Sequence, residues 1–242
     1  MVKVLFAGPS LAGSDFVANG IDVRPPAAHG DLLRAVLEGA TAIGLVDGLF
    51  DAVAAVWHKE ILFALAQGVA VLGAASMGAL RAAECAPFGM RPIGAIAWSY
   101  ASGMRDDDAD VGLVHAPAEL GWLPLTEPMV DVEPTVAELL RLGHLQPHEA
   151  ASMLAHARTI HFSARSLDQL VPLGLAERRS DLLQLYQTHR IRQKQRDALE
   201  LVDHLRVLPD ARGPRSDFQF AESPMWRRRL AEVAAESGIT HA

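Results

Sequence analysis

Cysteine is almost absent from this chain. A single thiol, Cys85, excludes an intrachain disulfide, and the expected setting is a reducing compartment, the cytoplasm. Aromatic residues make up only 6 %, so the core must be built from Ala, Val and Leu. Basic charge is also short. Twenty-two Lys and Arg stand against 29 Asp and Glu, a net charge of -7 over 242 residues, which argues against a partner gripped through its phosphate backbone. Nucleic acid is therefore not expected as a partner. There is no GxGxxG and no P-loop pattern, so a nucleotide-binding domain rests only on the Gly8-Pro9-Ser10 turn. The stretch 61–80 carries no charge, but Gln67-Gly68 splits it into a helix end and a buried strand, and no membrane span is expected.

Apolar runs and turn residues alternate over the first hundred positions. Strands are predicted near 2–7, 21–23, 42–46 and 69–73, with a fifth near 111–115. Helices are predicted at 31–38, over a long stretch ending near Gln67, and at 77–85. Strands apolar on both faces and separated by helices point to an α/β fold, a Rossmann-like and mostly parallel sheet. From residue 133 the pattern is helical, with segments at 135–142, 149–158, 181–205 and 224–236. The organisation expected is an α/β core over 1–130 and a helical C-terminal region over 131–242. In such a sheet ligands bind beyond the carboxyl ends of the strands. Gly8-Pro9-Ser10, Asp47-Gly48 and Ser76 are expected together on that edge.

The run Gly73-Ala74-Ala75-Ser76-Met77-Gly78-Ala79-Leu80-Arg81 joins a buried strand to a helix through small residues. Such a bend leaves one side chain bare, here the Ser76 hydroxyl, with backbone N–H groups and a positive helix end beside it. That arrangement suits attack on a carbonyl, with Met77 and one of Gly8 or Ser10 as oxyanion donors. Serine is equally a preferred helix N-cap. A base is needed. None of the ten histidines has an evident acid partner. Lys59, in Trp57-His58-Lys59-Glu60-Ile61, falls beside the apolar stripe Val53, Val56, Trp57, Ile61 and Ala64 of the preceding helix. Enclosed by apolar walls, it would lose its proton readily and serve Ser76 as base. A solvated surface lysine is the alternative. Asp47 either binds substrate or holds its turn, and His58 either orients a ligand or caps a loop. Arg81 either faces an anionic substrate or pairs with Glu84 three residues on. The run Asp106–Asp110 shows no regular ligand spacing, so neither a metal nor another cofactor is expected.

At these residues the chain resembles the TfuA family. The matching strings include Phe6-Ala7-Gly8-Pro9-Ser10, Arg24-Pro25-Pro26-Ala27-Ala28-His29-Gly30-Asp31 and Ala42-Ile43-Gly44-Leu45-Val46-Asp47-Gly48-Leu49-Phe50. Ala55-Val56-Trp57-His58-Lys59-Glu60-Ile61-Leu62 and the Gly73–Glu84 run continue them in order. The resemblance implies a partner of YcaO enzymes in peptide backbone thioamidation, in the biosynthesis of ribosomal peptides. It further implies a hydrolase that releases sulfide from the C-terminal thiocarboxylate of a ThiS-like sulfur carrier protein. The family's Ser-Lys dyad maps onto Ser76 and Lys59. An adaptor that docks YcaO without chemistry is the competing expectation.

Overall fold

The computed structural model describes residues 2–49, 53–236 and 238. Phe50, at the end of one matching string, lies outside them. Five strands form one all-parallel sheet: β1 (Val2–Phe6), β2 (Ile21–Arg24), β3 (Ala40–Leu45), β4 (Ala70–Gly73) and β5 (Arg91–Pro92), in the order β2-β1-β3-β4-β5. This is a doubly wound order, and the strand sequence reverses direction between β1 and β3. The expected α/β, mostly parallel sheet is observed.

Both faces of the sheet are buried because its strands are apolar at odd and even positions alike. Val4, Phe6, Ile43, Leu45 and Val71 point to one face, under α1 (Asp31–Leu37), α2 (His58–Ala66), α3 (Met77–Cys85) and α9 (Pro224–Glu236). Leu5, Ala42, Val46 and Leu72 point to the other. No helix lies between β1 and β2 to cover that second face. It is covered instead by α8 (Gln193–Arg206), through Ala198, Leu201, Val202 and Leu205. Gly44 leaves room for this packing, since a Cβ would come within 2.6 Å of the Leu201 side chain. A third apolar cluster joins α5 (Met129–Arg141), α6 (Pro147–Thr159) and α7 (Arg179–Thr188) through Val136, Leu139, Met153, Leu182 and Tyr186.

Three local expectations are corrected. The fifth strand is Arg91–Pro92, a two-residue edge where proline is tolerated; residues 114–125 instead form an arm outside the sheet, closed by Ala116 N–H to Leu123 O and Leu125 N–H to Val114 O. The helix before β4 starts only at His58, and Val53 is exposed. The long helix at 181–205 is two helices. Between them Ile191 N–H donates to Thr135 Oγ1, and Lys194 N–H, in the first turn of α8, donates to Asp131 Oδ1 of α5. Those anchors come from 56 and 63 residues away, so local periodicity does not reveal the break. Among the described residues no helix is long and apolar enough to cross a membrane. The uncharged stretch divides among α2, β4 and α3.

Candidate functional site

At the carboxyl end of β4 the chain turns sharply. Ser76 N–H reaches back to Ala74 O at 2.7 Å, across Ala75, whose φ of 64° is a left-handed value that a side chain disfavours. The bend is over-determined by packing. A Cβ on Gly78 would lie 1.8 Å from Leu45 O, and one on Gly73 would lie 2.1 Å from Gly78 O, so the first turn of α3 is pressed directly onto the ends of β3 and β4. The Ser76 hydroxyl makes no capping bond to its own helix. Gly78 N–H is taken by Val46 O at 3.1 Å, whereas Met77 N–H has no hydrogen-bond partner among the described residues.

The residue that meets Ser76 is Lys194. Its Nζ donates to Ser76 Oγ at 3.0 Å and to Val111 O at 2.8 Å, and both side chains are buried. Burial pulls the Lys194 pKa below its ordinary value of 10.5, and the carboxylates of Asp47 and Asp131 pull it part of the way back. Asp131 is itself buried, and burial pushes its carboxyl up to about 6, against the Lys194 N–H and the Lys194 charge. Ser76 and Lys194 lie in the wall of a cleft of about 460 Å³, with Asp47, Gly48, His115 and Phe162.

Lys59 is not brought to Ser76. Its Nζ lies 3.4 Å from Ser223 Oγ and 5.6 Å from the centre of the Phe220 ring, on the flank of the sheet where the segment before α9 packs. The helix geometry explains the difference. Because α2 begins only at His58, Lys59 sits in its first turn and faces the C-terminal segment rather than the strand ends. Its neighbour Glu60 is fully buried and accepts the N–H groups of Gly30, Leu33 and Trp57, which ties α2 to α1. Lys194 leaves one sequence signal. It lies four, seven, eight and eleven residues before Ala198, Leu201, Val202 and Leu205, so it extends the apolar stripe of α8 by a turn. A lysine on a helix's buried face is the pattern to search for.

Gly8, Ser10 and Asp47 do share the strand-end edge. The buried Asp47 carboxylate accepts Gly8 N–H at 2.8 Å and Ser10 N–H at 3.0 Å on Oδ2, and the Ser10 hydroxyl at 2.6 Å on Oδ1. Asp47 therefore holds the loop after β1, and the N–H groups of Gly8 and Ser10 are already occupied. They are not available to an oxyanion. Met77 and Gly48, whose N–H likewise has no partner among the described residues, are the backbone donors near Ser76.

Arg81 and His58 stand apart from this cleft. Arg81 Nη1 pairs with Glu84 Oε2 at 2.7 Å and its Nε donates to Val56 O, while His58 Nε2 meets the same Glu84 oxygen at 2.8 Å. Arg81 lines a separate groove of about 640 Å³ along the other flank of α3. In the acidic run, Asp107 accepts Ala109 N–H and Asp110 pairs with Arg105. No group of three or more His, Cys, Asp or Glu suited to a metal is found among the described residues. Cys85 is buried in the core, and burial raises its thiol pKa to about 11.

A protein-family model described as TfuA-like protein matches residues 47–166, a span that contains Asp47, Lys59, Ser76 and Asp131 and ends before Lys194. No curated protein matches the chain.

Proposed function

We propose, on the premise that this chain belongs to the TfuA-like family, that it is a serine–lysine hydrolase acting on a thiocarboxylated sulfur carrier of the ThiS type. The family works in the YcaO-associated pathway, and the sulfide released here would serve a YcaO enzyme in peptide backbone thioamidation. One observation carries the reading: an uncapped serine hydroxyl at a strained bend lies 3.0 Å from a lysine amine enclosed by protein. The pair is Ser76 with Lys194, and Lys59 has no part in it.

Each atom in the cleft has a task. The carrier's flexible C-terminal tail enters alongside Gly48, His115 and Phe162 and brings its thioacid carbon to Ser76 Oγ. Neutral Lys194 takes the hydroxyl proton as Oγ attacks. Val111 O fixes the amine, so its lone pair stays aimed at the serine. Met77 N–H and the positive end of α3 meet the developing oxyanion and offset the charge of the thiocarboxylate. The C–S bond then breaks, the Lys194 proton passes to sulfur, and hydrosulfide leaves an ester on Ser76. Water, deprotonated by Lys194, cleaves that ester to the free carboxylate and restores the hydroxyl. Overall a thiocarboxylate and water become a carboxylate, hydrosulfide and a proton.

The test is to mix the protein with a thiocarboxylated carrier and follow sulfide. The expected rate rises with pH as Lys194 loses its proton and levels off below the ordinary lysine range, because burial lowers that pKa. The sign follows from the amine being the base: its protonated form cannot accept the serine proton. An adaptor would leave the thiocarboxylate intact at every pH.

A further inference from the structure

The arm over residues 114–125 leaves one of its edges bare. Val114 N–H donates to Thr126 Oγ1 at 2.8 Å, Val114 O accepts Leu125 N–H, and Ala116 N–H donates to Leu123 O. Backbone groups of an extended chain alternate between its two edges, so those of Leu113 and His115 turn the opposite way. Neither the N–H nor the C=O of these two residues has a hydrogen-bond partner among the described residues.

The bare edge borders the cleft that holds Ser76. Val111, Leu113, Val114 and His115 line that cleft and no residue of 116–126 does, so it lies on the side of this strand away from its partner. Gly112, at φ -67° and ψ 139°, keeps the chain extended between Val111 and Leu113. Val111 O is bonded to Lys194, which in turn holds Ser76. The edge therefore leads, two residues beyond Leu113, to the reacting pair. His115 is fixed in place: its ring packs edge-on against Trp122 at 5.2 Å, and its Nδ1 donates to Ala116 O. An unpaired edge that carries no charged side chain is a template for another strand.

We propose that the cleft binds an extended peptide tail by strand addition, antiparallel to residues 113–115, and so delivers the tail's C-terminal carbon to Ser76. That the tail belongs to the sulfur carrier rests on the hydrolase reading above; the strand edge does not. The direction follows from the two ends. The chemistry sits at the Val111 end, so the tail enters by His115 and runs against the arm. At roughly 3.4 Å per residue, the stretch 111–115 is matched by about five residues of tail. Pairing through the main chain fixes how deep the last carbon travels and asks little of the tail's side chains.

Amide exchange of the whole protein tests this, read by NMR with and without a saturating ThiS-type carrier that bears an ordinary C-terminal carboxylate. The Leu113 and His115 amides should exchange at least tenfold more slowly with the carrier bound, while Val114 and Ala116, already bonded, change less than twofold. Leu113→Pro removes one edge donor where Gly112 already has the extended backbone that a following proline favours. It should weaken carrier binding about tenfold, and Leu113→Ala, which keeps the N–H, less than threefold. Equal losses in the two variants, or Leu113 and His115 amides indifferent to bound carrier, would overturn strand addition even in a protein that releases sulfide. A carrier that does not bind would overturn it as well. None of these measurements needs turnover, so protected edge amides in a protein that releases no sulfide sink the hydrolase reading and leave the strand edge standing.

Discussion

Replacing Lys194 with Met lowers the rate of sulfide release by about 10³-fold, while Lys59→Met changes it less than threefold. A general base positioned on the reacting proton is typically worth about 10²–10⁴-fold. Lys194 is the amine within hydrogen-bond distance of Ser76, and methionine fills a similar volume without it. Lys59 touches Ser223 and Phe220 instead, so its loss removes only a peripheral contact. Residues that act as one unit are non-additive, and the double variant Ser76→Ala/Lys194→Met should be no slower than the worse single one. The readout is the initial rate of sulfide formation from a thiocarboxylated carrier. Equal losses for Lys59→Met and Lys194→Met would reject the assignment.

The second large effect is on stability. Asp47→Ala should cost about 3 kcal/mol or more, since buried donors left without an acceptor cost about 1–3 kcal/mol each. Three donors lose their partner at once: Gly8 N–H, Ser10 N–H and the Ser10 hydroxyl. They belong to the loop after β1, which supplies Pro9 to the wall of the Ser76 cleft, so activity should fall with stability. Asp47→Asn keeps an acceptor oxygen and should cost less. Urea unfolding measures both. A loss under about 1 kcal/mol for the alanine variant would mean that water replaces the carboxylate and that the loop is held elsewhere.

Much of this was legible in the sequence. The strands and their two-sided apolar character stand out at Val4-Leu5-Phe6 and Ala42-Ile43, because a parallel sheet covered on both faces needs them. The turn at Ser76 was readable from its small residues: Gly73 and Gly78 mark backbone-to-backbone approaches that no other residue allows. The helix after it spans Met77–Cys85, as its alanines and leucine suggest. Lys194 was hidden for a different reason. A doubly wound sheet leads one to look for a base on a neighbouring crossover helix, but here the second face is closed by a helix more than a hundred residues downstream of Ser76. Exposed polar residues on the outer side of α8, such as Arg196 and Glu200, mask the stripe that points Lys194 inward. The anchor Asp131, likewise, reads from sequence as one more acidic residue before a proline.

Trapping the reaction of the protein with thiocarboxylated carrier in acid, followed by intact mass and peptide mapping, tests the central claim most directly. An ester joining the carrier's C-terminal carbonyl to Ser76, present in the parent protein and missing from Lys194→Met, is the predicted result. Sulfide release at the parent rate from Ser76→Ala, with no adduct on any serine, would contradict it.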